Sequence, residues 1–379
     1  MNIQVLRRGN QEGAVCTNPS ESFTLPARFY TDPAIYEAEK TAIFYKSWWC
    51  AGHKSQLPKP GSYITTEIHE QGVVVTRDQD GKLRAFYNVC QHRGHELVKG
   101  AGEARIFTCP YHAWTYNLDG TLRTARLTKA LPDFKACDFA LKPVRVEEFC
   151  GFVFVNLDQD AISLKEQSGA LEEEIRKYVP RIDDMVFAHR DDYVIKANWK
   201  VVVDNFLECY HCHPAHRDFV DLVDMDSYRN IINGLYVSQI SDAPRTTTAK
   251  AYSFEKGDVD FGYAGWYLWP NLTLWVYPGE PNISALIMIP DGTDRTIEHL
   301  DWFLPTTEVS DQVRQAMAYM DKTLQPEDIA LCESVQRGLK SRGYNQGRFV
   351  IDPGHPELSE HGVHHFQRMV ARALSAELG

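Results

Sequence analysis

The sequence has little positive charge and lacks any long apolar run. Its 379 residues include 40 Lys and Arg against 51 Asp and Glu, which gives a formal net charge of −11. This acidic balance argues against a broad nucleic-acid-binding surface. No stretch approaches 18 uninterrupted apolar residues, and the first 14 residues lack the apolar segment of a signal peptide. We therefore expect a cytoplasmic protein that binds neither nucleic acid nor membrane.

The sequence also lacks the cysteine pattern of a secreted disulfide framework and the glycine pattern of a nucleotide site. Its nine cysteines are an odd number spread over a long chain. This pattern predicts metal ligands or free thiols in a reducing compartment. No Gly-x-Gly-x-x-Gly follows a predicted strand, so the chain has no flavin or nicotinamide fingerprint. Electrons for any redox chemistry must then come from a separate protein.

The first half of the chain changes from a helical to a β pattern. Asp32 and Pro33 provide a helix cap and a Pro at the first helical position, which predicts a helix from Asp32 to Trp48. Short β-branched or aromatic runs then alternate with turn signals such as Asp80-Gly81 and Asp119-Gly120. An all-β region from about residue 61 to residue 157 is therefore predicted.

The second half mixes helices and strands. The predicted elements are a linking helix near Leu171 to Tyr178, a helix from Trp199 to about Cys212, strands within Tyr252 to Ile289 and at Glu298 to Leu304, and two helices from Val309 to about Ser341 with a break near Gln325-Pro326. There is no internal repeat.

Two cysteines and two histidines lie in loops of the predicted β region. Cys90 and His92 form one half of the pattern, and Cys109 and His112 form the other, with sixteen residues between the halves. Such a set could bind a tetrahedral zinc ion. It could also hold a [2Fe–2S] cluster with two Cys on one iron and two His on the other. With a Gly after the first half and a Pro after the second Cys, the pattern resembles the Rieske motif, and this resemblance favours the cluster. His95 is interpreted as a neighbouring surface residue.

A second group of polar residues follows Trp199. On a helix, Asp204, Glu208 and His211 lie at i, i+4 and i+7, which is one face. A purely structural helix would place apolar residues on its buried face. This acidic face with an imidazole therefore predicts a functional site.

A second histidine is needed for a metal site here. His216 is five residues beyond His211, or about 140° around an ideal helix. The two can converge only if the helix deforms, and Pro214 lies between them. His213 is the alternative ligand.

Two histidines and one carboxylate form the facial triad of non-haem Fe(II) oxygenases. The candidate carboxylate, Asp328, follows Pro326 at the start of a predicted helix. It shares a face with the apolar stripe formed by Leu331, Val335 and Leu339. A carboxylate that points inward costs free energy unless it has a partner of opposite charge. A metal ion is a reasonable partner here. The alternatives are that Asp328 serves the helix dipole, as Glu327 would, or that Asp321 is the ligand.

These motifs resemble the oxygenase α subunits of the Rieske non-haem iron oxygenases, from about residue 25 to the C-terminus. Within the family, the sequence is most similar to the carnitine monooxygenase oxygenase component and to related betaine- and choline-type enzymes. The segments that carry this narrower similarity are Phe86 to Cys90, Cys109 to Trp114, Leu207 to Cys212, Glu333 to Tyr344 and Ser359 to Gly362. Residues Ser241 to Lys256 depart from the carnitine-type pattern.

The resemblance implies an α+β fold with two domains. An all-β Rieske [2Fe–2S] domain would span residues 45–160. A catalytic domain with mononuclear non-haem iron would comprise residues 1–44 and 161–379, with a central antiparallel sheet flanked by helices, as in helix-grip or START-like folds. The family also implies a homotrimer in which the cluster of one subunit serves the iron of the next.

The resemblance also implies roles for individual residues. Cys90 and Cys109 would bind the inner iron of the cluster, and His92 and His112 the outer one. The Fe(II) ligands would be His211, His216 and Asp328. The remaining cysteines, including Cys209 and Cys212, are interpreted as free thiols.

Two acids are candidates for the electron path. Most of the family has an Asp where this chain has Glu208, and that Asp bridges to a Rieske His of the neighbouring subunit. Glu208 would therefore link His211 to a cluster histidine, His112 in our interpretation. Asp204 is either a second relay acid or a hydrogen-bonding support.

The implied activity is that of a two-component monooxygenase. It would use O2 and electrons that pass from NAD(P)H through a reductase with flavin and a [2Fe–2S] domain. The substrate would be a small cationic or zwitterionic quaternary amine, such as carnitine, γ-butyrobetaine or a betaine, and hydroxylation would cleave its C–N bond. Alternatives on the same scaffold are an aromatic-ring hydroxylase and an O- or N-demethylase, whereas a simple electron carrier would not need the second site.

Aromatic side chains are the candidates for substrate binding, since Trp and Tyr faces attract quaternary ammonium groups. The alternative is that they pack the core. The candidates are Phe206, Tyr210, Trp266, Trp269, Trp275 and Trp302.

Overall fold

The computed structural model describes residues 13–242, 248–255 and 262–375. Residues 1–12 of the predicted catalytic domain, and part of the divergent segment between Ser241 and Lys256, lie outside this range. The chain divides into two compact units. One comprises Phe44–Gln167, and the other the segments that end at Ile43 and start at Ser168. The sequence-based boundaries at residues 45 and 160 fall close to these positions.

The positions of the helices agree with the sequence-based predictions better than their lengths do. The α-helices of the described residues are α1 (Arg28–Thr31), α2 (Pro33–Ala42), α3 (Leu164–Gln167), α4 (Leu171–Tyr178), α5 (Trp199–Phe206), α6 (Cys212–Ala215), α7 (Arg217–Leu222), α8 (Asp311–Tyr319), α9 (Gln325–Leu339) and α10 (His361–Leu374). The predicted linking helix is confirmed as α4. The predicted cap is also confirmed, because the backbone N–H of Ala34 donates to Asp32 at 2.9 Å. The predicted extension of α2 to Trp48 is wrong, since Trp49 pairs with Val155 in a strand and the chain must leave the helix before it.

The unit Phe44–Gln167 is built from two antiparallel sheets. Its strands are β1 (Trp49–His53), β2 (Ser62–Ile68), β3 (Gln71–Arg77), β4 (Leu83–Tyr87), β5 (Ala101–Glu103), β6 (Phe107–Thr108), β7 (Thr115–Tyr116), β8 (Leu122–Thr124), β9 (Pro143–Phe149) and β10 (Phe152–Asn156). Seven strands pair in the order β1-β10-β9-β4-β3-β2-β5, and β6-β7-β8 form a small second sheet. Gly81 and Gly120 have φ of 78° and 88° at the predicted turns, a conformation that favours glycine. The all-β prediction for this region is confirmed.

The other unit is organised around one seven-stranded antiparallel sheet. Its strands are β11 (Val186–Ile195), β12 (Arg229–Asn233), β13 (Tyr236–Ile240), β14 (Ala264–Leu268), β15 (Leu272–Val276), β16 (Ile283–Pro290) and β17 (Thr296–Leu304). They pair in the order β11-β17-β16-β15-β14-β13-β12. Helix α5 packs against α9, α10 and β16, so these helices flank the sheet. The predicted α+β class is confirmed.

The two faces of this sheet carry different aromatic residues. Trp275 pairs with Gly265 and Ser284, and Ser284 pairs with Trp302, so these residues share what we call the front face. Trp266 pairs with Leu274 and points to the opposite, back face. Its indole N–H donates to Glu174 of α4, which therefore covers the back face. The front face is the one that meets the site described below.

A π turn joins α8 to α9. Residues Met320–Leu324 form it, and Gln325 continues directly into α9. The predicted break near Gln325-Pro326 is therefore a change of helical pitch rather than an interruption. Single π turns inside helices occur frequently at functional sites.

A fully buried ion pair connects α2 to α5. Nζ of Lys200 lies 2.5 Å from Oε1 of Glu39, and Nε1 of Trp199 donates to Oε2 at 2.8 Å. Neither charged side chain is exposed to solvent. Burial raises the pKa of Glu39 and lowers that of Lys200, so desolvation opposes both charges. Such a pair contributes little net stability, although either charge alone is costly.

The Lys200→Met variant is expected to lower the free energy of unfolding by about 3–5 kcal/mol, because Glu39 would be left buried and unpaired. Adding Glu39→Gln should recover most of this loss. Urea denaturation followed by tryptophan fluorescence measures both effects. Lys340→Met breaks the exposed pair with Asp294 and should cost less than about 1 kcal/mol. Equal losses in Lys200→Met and Lys340→Met would contradict the expectation.

No helix in the described part of the chain is both long and apolar enough to span a bilayer.

Candidate metal centres and active site

The cysteine and histidine motifs of the β unit form two matching loops. In each, the fourth residue after the cysteine donates its N–H to the cysteine carbonyl at 3.0 Å. That residue is Gly94 after Cys90 and Ala113 after Cys109, and both have positive φ, 71° and 57°. The two loops therefore close in the same way, although the histidine is two residues after Cys90 and three residues after Cys109.

The four side chains are sorted into a buried pair and an outer pair. Cys90 and Cys109 are each only 2% exposed. The rings of His92 and His112 lie 4.7 Å apart between centroids, nearer the surface, and His92 stacks on Trp114. Nδ1 of His112 is buried and has no hydrogen-bond partner among the described residues. A buried ring nitrogen without a hydrogen-bond partner fits the role of a metal ligand.

This arrangement fits a two-iron cluster better than a single zinc ion. Burial raises the pKa of the Cys90 thiol, so its thiolate needs a positive partner there. The hydroxyl of Tyr116 lies 3.3 Å from its Sγ and accepts the N–H of Gln91. Within the described residues, these four donors do not gather around one point as ligands of a single ion would. His95, by contrast, is exposed and contacts the carbonyl of Glu96.

In the other unit, the second polar group does not lie on one helix as the sequence predicted. Helix α5 ends at Phe206, and Leu207 caps it. The Glu208 carboxylate accepts the N–H groups of Tyr210 and His211, which closes a turn instead of another helical turn. The predicted helical face of Asp204, Glu208 and His211 is therefore wrong, because the side chain of Glu208 offers the backbone an alternative set of hydrogen bonds.

The break after α5 brings the two histidines together. His211 precedes α6 and His216 lies between α6 and α7, so neither is inside a long helix. Nε2 of His211 lies 3.1 Å from Nε2 of His216. Oδ1 of Asp328 lies 2.9 Å from Nε2 of His216 and 3.5 Å from Nε2 of His211. Ligands at 90° and about 2.1 Å from one ion would be about 3 Å apart, so this triangle fits one face of an octahedral metal ion.

Two further carboxylates fix the orientation of the imidazoles. Glu208 contacts Nδ1 of His211, and Oε2 of Glu327 lies 2.8 Å from Nδ1 of His216. With protons on both Nδ1 atoms, both Nε2 lone pairs point to the Asp328 carboxylate. Three acceptors that converge in this way require a cation. From the sequence, Glu327 was expected only to interact with the dipole of its helix. Its spacing gave no indication of a contact with His216.

The charges of these carboxylates also perturb the pKa values of the site. Burial lowers the pKa of His211, but Asp328 and Glu208 outweigh it and raise the pKa to about 10. Burial also lowers the pKa of His216, but Asp328 and Glu327 outweigh it and raise that pKa. The pKa of Asp328 falls far below its ordinary value despite its burial, because both histidines hydrogen-bond to it. The site without metal thus strongly favours a positive charge at its centre.

The alternative ligands lie elsewhere. His213 is exposed on α6. Asp321 is exposed in the π turn, where it accepts the Tyr193 hydroxyl at 3.3 Å. The structure therefore brings together His211, His216 and Asp328, and neither alternative joins them.

The side chain of Asp328 points inward as predicted, but only one member of the predicted apolar stripe does. Leu331 and Val335 are 36% and 51% exposed in the single chain, whereas Leu339 is buried. Beside Leu339, the buried side of α9 carries Cys332 and Gln336. Asp328 lies one turn before Cys332 and shares that side.

Asp204 lies beside Glu208 but makes different contacts. Its Oδ2 accepts the Tyr30 hydroxyl at 2.7 Å and the amide of Gln367 at 2.9 Å. Its Oδ1 is buried without a partner among the described residues. Burial raises its pKa to about 7. Asp204 and Glu208 line a cavity of about 300 Å³ on the α9 side, which also reaches His211.

A smaller cavity, of about 90 Å³, lies between the metal-ligand candidates and the front face of the sheet. Of the six predicted substrate-binding aromatics, Phe206 and Trp275 line it, with their rings stacked at 6.0 Å. The other four do not line this cavity. Trp266 lies on the back face, Trp269 packs on Phe366, Trp302 stacks behind Tyr277, and Tyr210 is 50% exposed.

Several lining residues were missed by the sequence analysis. They include Phe219, Tyr228, Gln239, Tyr263, Met288, Glu298, Met320 and Gln325. No Lys or Arg lines the cavity among the described residues. The alternation of side chains along β15–β17 could have placed Trp275, Met288 and Glu298 on one face of the sheet. It could not have shown which face meets the metal-ligand candidates.

The structure also corrects one prediction about the cysteines. Cys209 and Cys212 are joined by a disulfide, whereas free thiols had been expected. The turn after α5 places their Cα atoms 4.9 Å apart, within the range that a disulfide spans. The other cysteines among the described residues form no disulfide.

Comparisons with known proteins agree with both sites. Residues 47–135 match the family described as the Rieske [2Fe–2S] domain, and residues 182–376 match the ring hydroxylating alpha subunit, catalytic domain. The chain is 41% identical over 361 residues to the carnitine monooxygenase oxygenase subunit of Escherichia coli (strain K12), covering 95% of this chain and 96% of that protein. It is 30% identical over 369 residues to the chloroplastic choline monooxygenase of Spinacia oleracea, covering 94% and 79%.

A solved structure is similar over nearly the whole chain. It is that of the quaternary ammonium Rieske monooxygenase CntA in complex with L-carnitine, with a TM-score of 0.85 and 38% identity, covering 94% of this chain and 97% of that one. With the two metal-ligand sets in their expected order, these similarities show that the chain belongs to the Rieske non-haem iron oxygenases and is a monooxygenase α subunit of that family.

Proposed function

We propose that this chain is the oxygenase component of a two-component monooxygenase that hydroxylates a quaternary amine and cleaves its C–N bond. The observation that carries the proposal is the triangle of His211, His216 and Asp328 donor atoms at one wall of an aromatic cavity that lacks Lys and Arg among the described residues. The similarity to carnitine and choline monooxygenases supports the substrate class.

Two sets of residues would hold the metals. Cys90, Cys109, His92 and His112 would hold the [2Fe–2S] cluster, while His211, His216 and Asp328 would hold Fe(II). When bound, the cluster supplies electrons and the ferrous ion supplies the oxidising chemistry. Electrons would start from NAD(P)H and pass through a separate reductase with flavin and a [2Fe–2S] domain, since the sequence has no flavin or nicotinamide fingerprint.

Glu208 would have two tasks in this enzyme. It holds His211 through Nδ1 and keeps the Nε2 lone pair directed at the metal position. In a homotrimer, we propose that it also accepts a hydrogen bond from a cluster histidine of the neighbouring subunit and so links the two metal sites. Asp204, held by Tyr30 and Gln367, would support the same path one turn earlier.

The substrate chemistry accounts for the products. One O2, two electrons and two protons convert a C–H bond next to nitrogen into C–OH, and the second oxygen atom leaves as water. The resulting hemiaminal loses its hydroxyl proton, a C=O bond forms, and the C–N electron pair leaves with a tertiary amine. The aldehyde and the amine are then separate products.

The aromatic lining would also suit an aromatic substrate, so a ring hydroxylase and an O- or N-demethylase are the alternative functions. They would use the same metal ligands but would not need a site for a permanent positive charge.

Substrate-dependent O2 uptake, with NADH and purified reductase, is expected for quaternary amines and not for aromatic acids. The panel should contain carnitine, γ-butyrobetaine, choline, glycine betaine and a cyclic N-methyl betaine, with aldehyde, formaldehyde and tertiary amine assayed as products. The Asp328→Ala variant serves as the control without active-site iron. Uptake coupled only to aromatic acids would contradict the proposed substrate class, and formaldehyde as the product would indicate demethylation.

A further inference from the structure

The cavity contains a buried carboxyl group with no role in the metal site. Glu298 lies on β17 opposite Met288, lines the cavity, and is 1% exposed. Nε2 of Gln325, at the start of α9, donates to its Oε2 at 2.5 Å. The groups that perturb its charge are Gln325 and Asp328, and neither is a cation.

A carboxylate in this position is costly without a positive partner. Burial, with a smaller contribution from the charge of Asp328, raises the pKa of Glu298 to about 8, although the hydrogen bond from Gln325 opposes the shift. No Lys or Arg lines the cavity within the described residues, so the protein itself does not supply the partner. Buried charges in proteins are normally paired. A cationic ligand in the cavity would provide that pair.

The other two carboxylates of the cavity are already engaged. Oδ1 of Asp328 faces the Nε2 atoms of both histidines. Glu208 accepts the N–H groups of Tyr210 and His211 and contacts Nδ1 of His211. Glu298 is therefore the carboxylate that remains for a ligand.

A quaternary ammonium ion beside a divalent metal ion needs such a group. Two positive charges in a cavity of low polarity repel each other strongly, because little water screens them. Aromatic walls such as Trp275 and Tyr277 attract the cation, but they pack equally well around a neutral tert-butyl group. A carboxylate distinguishes the two groups, since only one of them carries charge.

We propose that Glu298 is the counter-charge for the positive nitrogen of the substrate and is the residue that makes the cavity select a quaternary ammonium group over a neutral group of the same shape. The proposal rests on the proposed function and deepens it. It assigns Glu298 a role in specificity, distinct from that of the carboxylates that hold the metal ligands.

The test uses two ligands that differ in a single atom. γ-Butyrobetaine has a trimethylammonium head, and 5,5-dimethylhexanoate has a tert-butyl group in its place. Their Kd values for the complete ferrous enzyme, measured anaerobically by calorimetry, give a preference for the cation. The Glu298→Gln variant is expected to lower this preference by about tenfold or more, with iron content and cluster spectrum unchanged.

Matched variants separate charge from structure. Glu298→Asp keeps a carboxylate and should keep most of the preference, whereas Glu298→Met, a second neutral variant, should lose it as Glu298→Gln does. Asp192→Asn removes an exposed carboxylate that contacts His299 and should leave the preference unchanged. If both neutral variants hold iron and retain the wild-type preference, the proposal is overturned.

The wild-type enzyme distinguishes this failure from failure of the proposed function. A wild type that binds both ligands equally, or turns over no quaternary amine, would refute the substrate class itself. A wild type that prefers and oxidises the quaternary amine, with the same preference in Glu298→Gln, would refute only the role of Glu298.

Discussion

The Glu208→Gln variant should retain both metal centres and lose turnover by about 100-fold or more. Its carboxylate accepts two backbone N–H groups and contacts Nδ1 of His211. The amide keeps the size of the side chain but replaces one acceptor oxygen by a donor and removes the negative charge. A link between His211 and a cluster histidine of the next subunit requires acceptors on both sides, which an amide cannot provide. Steady-state O2 uptake, together with the iron content and the cluster spectrum, measures the outcome.

The chain offers a matched control for this variant. Glu327 contacts Nδ1 of His216 in the way that Glu208 contacts His211, but we give it no part in electron transfer. Glu327→Gln should weaken iron binding and reduce turnover modestly, while the reduced cluster is still oxidised when the ferrous enzyme and substrate are mixed with O2 in a single turnover. In Glu208→Gln that internal electron transfer should stop. Equal rates of internal transfer in the two variants would remove Glu208 from the electron path, and Glu208→Asp should restore part of the rate.

The Asp328→Ala variant should lose the mononuclear iron and keep the cluster. Iron content is expected to fall from about three to about two atoms per chain, with activity absent, because two histidines alone leave the triad without its carboxylate. The β unit contains none of the three residues, so the visible absorption of the cluster should be unchanged. Iron analysis and the absorption spectrum of anaerobically purified protein give both results.

Asp321→Ala is the control for this second variant. Asp321 is exposed, and its contact is with the Tyr193 hydroxyl, outside the triangle of donor atoms. It should keep its full iron content. Iron that survives Asp328→Ala and disappears in Asp321→Ala would show that the third ligand had been assigned to the wrong residue.

Local signals in the sequence predicted the secondary structure well where residues adjacent in the chain determine it. Asp32 and Pro33 start α2, and Leu171 to Tyr178 form α4 as predicted. The sequence did not reveal the end of α5, because the residue that closes the turn is Glu208, whose side chain competes with the helix for the backbone N–H groups. The same turn brings Cys209 and Cys212 together, which sequence spacing alone does not decide.

The metal-ligand candidates were easier to predict than the surroundings of the metal. His211, His216 and Asp328 have side chains whose chemistry is specific, and the family resemblance fixed their order. The orientation of α9 was predicted from Leu331, Val335 and Leu339, of which only Leu339 is buried in the single chain, so hydrophobicity alone identified the buried side only in part. Glu327 could not be assigned to His216, because their contact joins segments that are 111 residues apart.

The substrate cavity was the least predictable part of the site. Alternation along a strand shows which aromatic residues share a face, but Trp266 and Trp275 both lie in fully buried strands and point to opposite faces of the sheet. Only the position of α4 on the back face decides which of them meets the cavity. Glu298 had no signal of its own, because a single acid in an apolar strand can equally be an exposed residue at an edge.

The π turn at Met320–Leu324 sets the rotational phase of the ligand-bearing helix. Because each residue of an α-helix advances by about 100°, removal of one residue there would turn Gln325 and Asp328 away from the histidines by more than a quarter of a turn. Substitutions in the turn change side chains only, whereas insertions and deletions change the direction of everything after it. We therefore expect a change in the length of the turn to disturb the metal-ligand candidates more than a change in its composition.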